Sequence, residues 1–177
     1  PLKARSEFLK ALDNAYGVFE YATELASVST GSGYSNPLGE LNRVWNETYM
    51  NASIESIMNG YGDPRREFYF EHCTATDLKG EYRGIRQGTC FAHNRCNTLS
   101  KLTVDQSTDA VLMTAAEVWF LRAEAALRGW TSEDAGECYK QGVASSFRQY
   151  NLTAADDYLS SDNRAADFVD TYDSDNN

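Results

Sequence analysis

The chain has 177 residues, 42% of them hydrophobic, which is enough for a domain with a real core and too apolar for a disordered segment. Its formal charge of −10 would repel duplex nucleic acid, so no nucleic-acid partner is expected. No uninterrupted apolar run reaches the ~18 residues of a membrane-spanning helix, and no signal peptide or lipidation motif is present.

In chain order, Ser6 to Tyr16 carries Phe8, Ala11, Leu12, Ala15 and Tyr16 at helical spacing, with Gly17 as its stop. Val18 to Val28 is mixed and reads as extended or irregular. "STGSGYSNP", Ser29 to Pro37, is a loop by composition. Met50, Ile54, Ile57, Met58 and Tyr61 share a face, which predicts a helix over Tyr49–Asn59 ended by Gly60. Asp63-Pro64 predicts a turn, and "REFYFEH" a short strand. Residues 78–110 are rich in Gly, Asn, Thr and Ser, as in a long structured loop; such loops usually carry function or cover something.

"AAEVWFLRAEAALRGW", Ala115 to Trp130, is a helix on propensity alone. Its charges Glu117, Glu124 and Arg128 share one strip, while Arg122 falls in the apolar arc. The helix is therefore expected to pack on several neighbours, with Arg122 buried against a carboxylate. A second helix is predicted over Ser132–Tyr150, its start read as a capping box of Thr131 and Asp134. The two make a hairpin of tetratricopeptide size, and a lone hairpin of this kind cannot bury both faces. From Asp156 onward seven Asp face one Arg, which reads as a solvated or frayed end.

Chemistry-bearing constellations are few. His72, Cys73, Cys90, His93 and Cys96 form the one metal-like cluster, but its spacing matches no known zinc pattern. A disulfide among Cys73, Cys90 and Cys96 ranks above zinc, with free thiols as the remaining reading. Cys138 reads as a small core residue. G-x-S-x-G, P-loop and H-E-x-x-H motifs are absent, so no catalytic residue, metal or cofactor is assigned. The three N-x-S/T sequons at Asn46, Asn51 and Asn151 matter only in a eukaryotic secretory protein. "YRGIRQG", Tyr82 to Gly88, offers guanidinium and backbone donors, or is a surface turn whose arginines pair locally.

The order of "NPLGELNRVW", "GYGDPRREFYF", "YRGIRQG", "LMTAAEVWFLRAEAALRGW" and "YKQGVASSFRQY" resembles the SusD/RagB nutrient-binding outer-membrane lipoproteins of Bacteroidetes. The resemblance covers most of residues 10–160. It implies a mainly α fold of tetratricopeptide-like helix pairs with long irregular loops and little β. It also implies a non-enzymatic, surface-exposed protein of the cell outer membrane, which binds an oligosaccharide or other nutrient for a SusC-like TonB-dependent transporter. Membrane attachment would then run only through a lipid anchor absent from this sequence. Family members run to several hundred residues, so the chain is expected to be an internal fragment. We expect a single partial SusD-like domain over 1–177: helices and a Gly/Ser loop over 1–60, a loop-rich region over 61–110, the hairpin over 111–150 and an acidic segment over 151–177. The other readings are a tetratricopeptide-type protein-interaction scaffold with no small-molecule site, and a zinc-dependent module. Aromatic faces stack on sugar rings, and polar side chains bond the hydroxyls. Aromatics in loops have fewer packing reasons to be there, so Tyr34, Asn36, Trp45, Tyr82 and Arg86 are the expected ligand contacts, although Trp45 can equally anchor its loop to the core.

Overall fold

The computed structural model describes residues 2–88 and 96–161. These fall into two compact units, one of residues 2–26 and 111–161, the other of residues 27–88 and 96–110. Strands β1 (Leu25–Val28) and β2 (Ala110–Thr114) pair as the one sheet among the described residues. Everything else regular is helical. No described helix is long and apolar enough to cross a membrane.

The first unit is built on α5 (Ala115–Leu127) and α6 (Ala135–Arg148), which pack together as the expected hairpin. Small residues make the packing close: Ala115, Ala116, Ala123 and Ala125 of α5 are buried, as are Ala135, Cys138 and Gly142 of α6. A Cβ on Gly142 would stand 2.7 Å from the Phe120 ring, so this glycine sets the approach of the two helices. The caps differ from those expected. Thr114 and Glu117 form the capping box, at the start of α5: Glu117 N–H donates to Thr114 Oγ1 at 3.3 Å and Thr114 N–H to Glu117 Oε2 at 3.0 Å. At α6, Asp134 itself is the cap, accepting from Glu137 N–H at 2.8 Å, while the buried Thr131 Oγ1 has no hydrogen-bond partner among the described residues. The hydroxyl expected to cap α6 lies three residues too early.

Arg122 occupies the position expected of it. Its side chain is 15% exposed and clamps Glu133 through Nε at 2.9 Å and Nη2 at 2.5 Å, with Glu20 at 3.3 Å from Nη1. The guanidinium lies 3.9 Å from the Trp119 ring centroid, and Trp119 Nε1 donates to the Glu20 carbonyl at 3.0 Å. Burial opposes the charge of Arg122, but Glu133 outweighs it and raises the pKa. α5 is less enclosed than its composition suggests. Phe120 and Leu121 are 38% and 45% exposed, even though the Phe120 ring meets α6 at Gly142 and Tyr139.

Two ends need correction. α1 runs over Leu2–Leu12, shifted toward the N-terminus from the expected Ser6–Tyr16. Asn14 stops it: its amide donates to the Ala11 and Gly17 carbonyls and its oxygen accepts from Tyr16 N–H, a local bond set that competes with the next helical turn. At the other end, residues 155–160 are not frayed. Ala155–Ser160 form α7, whose Ala155 is buried and whose Tyr158 ring lies 5.2 Å from Phe147, itself fully buried. The acidic residues from 162 lie outside the described residues.

The second unit has its own core of Met50, Met58, Phe70 and Tyr82, with Tyr69 and Leu102 packed against it. α3 covers Ala52–Gly60, three residues shorter at its start than expected, because the Asn51 side chain accepts from Ile54 N–H at 2.8 Å and caps it there. "REFYFEH" is not a strand throughout. Arg66–Tyr69 wind into one turn, α4, and only from Phe70 does the chain extend to bridge Leu102. Asp63 causes the winding: it accepts from the backbone and the guanidinium of Arg65 and starts the turn. The described parts of the 78–110 stretch, 78–88 and 96–109, are irregular, as expected, and are pinned by single bridges. One pairs Asn51 with Ile85, where Gly84 sits so near Asn51 that a Cβ would fall 2.4 Å from its carbonyl carbon.

Candidate functional site

In the second unit, α2 (Pro37–Gly39) runs into a π-helical turn, Glu40–Val44. The cause is visible at Asn42, which is fully buried. Its amide donates to the Leu102 and Val104 carbonyls at 2.7 and 2.6 Å, and its oxygen accepts from Thr48 Oγ1 at 2.6 Å. With Asn42 held inward, the same turn leaves Leu38, Leu41, Val44 and Trp45 outward, Val44 and Trp45 at 62% and 59% exposure. Trp45 is thus a surface residue and not an anchor.

Just before α2, the Gly31–Ser35 loop folds back on the 105–109 turn. Asn36 makes the junction. It is buried, its amide donates to the Thr108 carbonyl at 3.0 Å, its backbone N–H to the Gln106 carbonyl at 3.0 Å, and its side-chain oxygen caps α2 through Leu38 N–H. The 105–109 turn is itself wound around Asp105, whose carboxylate takes the Ser107 hydroxyl at 2.7 Å and the Ser107 N–H at 2.8 Å. Those bonds, with one from Thr108, hold the Asp105 carboxyl below the usual carboxylate range. Asp109 anchors the other side, accepting from Thr30 N–H at 2.8 Å.

Between these two turns lies an open depression of about 280 Å³, lined by Thr30, Gly31, Tyr34, Ser35, Gln106 and Ser107. One aromatic wall beside hydroxyl and amide groups is the makeup of a small polar-ligand site. Tyr34, 38% exposed, supplies the wall. Three larger depressions occur in the helical unit: one is lined mostly by the surface of α1, and the other two contain Glu20 and Glu133, which already hold Arg122.

The expected contacts separate accordingly. Tyr34 lines the depression and Asn36 fixes the loop that carries it. Trp45 stands on the exposed face of the π-helical turn, and Arg86 is exposed. Tyr82 belongs to the core at 6% exposure, its ring 4.4 Å from His72 and 5.1 Å from the Arg66 guanidinium. Burial raises its pKa, Glu67 adds to the rise and Arg66 opposes it. Gln106, Ser107 and Thr30 were not anticipated, although Asp105-x-Ser107 is a legible side-chain turn signature. Of the metal-like cluster, Cys90 and His93 lie outside the described residues. Cys73 and Cys96 are buried thiols, not bridged to one another, and Cys73 Sγ lies 3.5 Å from Ser100 Oγ.

The architecture thus comprises a helix-hairpin scaffold and a loop-rich unit carrying a shallow polar depression. Comparison with known proteins gives the same class. The family model of SusD and RagB outer membrane lipoproteins matches residues 1–177, and the chain belongs to this SusD-like family. A SusD homologue from Bacteroides vulgatus superposes with a TM-score of 0.80 at 45% identity, over 89% of this chain and 33% of that one. A chitin-binding SusD homologue from Flavobacterium johnsoniae gives 0.81 at 34% identity, over 89% and 33%. A Bacteroides thetaiotaomicron homologue gives 0.80 at 34%, over 90% and 33%. The chain therefore spans about a third of the length of these structures. No curated protein matches it.

Proposed function

We propose that the chain is part of a non-catalytic glycan-binding protein at the cell surface, which passes an oligosaccharide to a SusC-like TonB-dependent transporter. Membership of the SusD-like family supports the reading, as does the chitin-binding homologue. The observation that carries it to particular residues is Tyr34 standing over a depression of hydroxyl and amide groups. In this reading Tyr34 stacks on a sugar ring and Thr30, Gln106 and Ser107 bond its hydroxyls. Trp45 and Arg86 offer further exposed contacts, Asn36 fixes the loop that carries Tyr34, and Tyr82 belongs to the core of the same unit.

One stacked ring contributes only a few kcal/mol, so affinity for a single site should lie between about 10 μM and 1 mM. The intact protein, with Tyr34→Ala and Trp45→Ala, should be titrated calorimetrically against plant and host oligosaccharides. Binding that both substitutions leave unchanged removes this site, and no binding to any glycan points to another nutrient or to a pure scaffold. Co-purification from outer membranes with a TonB-dependent transporter tests the delivery step separately.

A further inference from the structure

Two of the hydroxyls around Tyr34 are already committed as donors inside the protein. The Ser107 hydroxyl hydrogen is directed at Asp105 Oδ1, 2.7 Å away. That of Thr30 is directed at the Ser107 carbonyl at 2.7 Å or at Asp109 Oδ1 at 3.3 Å. Gln106 Nε2 donates to Glu40 Oε2. Both hydroxyl hydrogens are therefore engaged inside the protein, and the two oxygens meet a ligand as acceptors. Behind them stand the carboxylates of Glu40, Asp105 and Asp109, each one hydrogen bond from the lining. None of the lining residues carries a positive charge.

We infer that the Tyr34 depression selects an uncharged sugar unit and excludes uronate and sulfated units. A neutral pyranose brings hydroxyl donors to waiting acceptors and an apolar face to the Tyr34 ring. A carboxylate or sulfate is acceptor-only, so it can take hydrogen bonds only from the Tyr34 and Ser35 hydroxyls and the second Gln106 N–H, and it meets three like charges close by. Asp105 keeps its charge even in mildly acidic conditions, because the Ser107 and Thr108 bonds favour its ionised form. Glycan binding at this depression is the reading proposed above, and the selectivity rests on it.

The intact protein should be titrated with chito-, malto- and xylo-hexaose, and separately with hexagalacturonate and a sulfated glycosaminoglycan hexasaccharide. The expected result is binding of at least one neutral probe, weakened by Tyr34→Ala, with both anionic probes at least about tenfold weaker in low salt. Repulsion between exposed charges is screened at about 0.5 M salt, so the gap should narrow there. Glu40→Gln keeps an acceptor for Gln106 and removes one charge, so it should narrow the gap about twofold at low salt. Anionic probes that bind as well as neutral ones overturn the selectivity and leave glycan binding standing. A gap that responds neither to salt nor to Glu40→Gln means that shape excludes the anion, and also overturns it. If no probe binds, glycan recognition itself falls.

Discussion

Replacing Arg122 by alanine should cost about 2–4 kcal/mol. The Glu133 clamp is the largest part: two donors engage one carboxylate oxygen, at 2.9 and 2.5 Å, with side chains 15% and 27% exposed. A fully buried pair broken on one side costs ~3–5 kcal/mol, and an exposed pair under ~1, so this half-sheltered one falls near ~2. The Glu20 contact is longer and its acid is 52% exposed, so it adds a few tenths at most. Stacking on Trp119 at 3.9 Å adds about 0.5–1 kcal/mol, and loss of the packed stem the remainder. The penalty is not only lost attraction. Glu133 Oε2 is buried and has no hydrogen-bond partner among the described residues, so removing Arg122 also strips the donors from its other oxygen. Arg122→Lys should recover roughly half, because an ammonium keeps the charge but not the two-donor fork. Urea unfolding followed by far-ultraviolet circular dichroism measures both, with Glu133→Gln completing a double-mutant cycle. A loss below about 0.5 kcal/mol in Arg122→Ala, or a coupling energy near zero, would refute the account.

The glycines should separate by what they face. Gly84→Ala, whose Cβ would meet Asn51 backbone at 2.4 Å, should cost over about 2 kcal/mol, whereas Gly142→Ala, facing the half-exposed Phe120 ring, should cost under about 1; equal losses in thermal melts would contradict this. Asp134→Ala should cost about 1 kcal/mol by removing the α6 cap, while Thr131→Val, whose hydroxyl has no partner among the described residues, should be neutral or stabilising; a costly Thr131→Val would show an unrecognised bond. Tyr82 and Tyr49 have raised pKa values, chiefly through burial, from a usual 10.0. The folded state then favours their neutral form, so this stability is present below pH ~10 and lost as pH rises through the folded values. Ultraviolet titration should find phenols ionising later than the bulk and together with unfolding, and Tyr82→Phe should remove part of the alkaline transition.

The hairpin was legible because everything it needs is local: helix formers, small residues on the inward faces and a short turn. Arg122 was legible for the same reason, since a charge inside an apolar arc demands a partner. Its partners Glu20 and Glu133 were not named, because one lies 102 residues away. The same holds more strongly for the site. Thr30 meets Asp109 across 79 residues and Asn36 meets Thr108 across 72, and no periodicity encodes such meetings. Tyr82 misled because a loop-like composition around it suggested exposure, whereas the unit's core is built largely from residues of irregular segments. Asn42 was invisible for a related reason: burial of an amide pays off only where its partners converge, and two of the three come from a stretch 60 or more residues away.

The division of the helical unit between residues 2–26 and 111–161 has a consequence for biosynthesis. A ribosome releases the early piece long before its partners exist. The Phe8 ring, which ends beside Trp130, and the Glu20 carbonyl that receives Trp119 must wait while about a hundred codons are translated. The intervening 27–110 unit has its own core and its own bond between Thr30 and Asp109 near its ends, so it can condense first. Its early collapse shortens the effective loop that the helical unit has to close. Synonymous codon changes that slow translation within 27–110 should therefore leave the final yield intact. Substitutions that loosen Asn42 or Asn36 should lower the yield of folded α5–α6 hairpin, even though neither residue belongs to it.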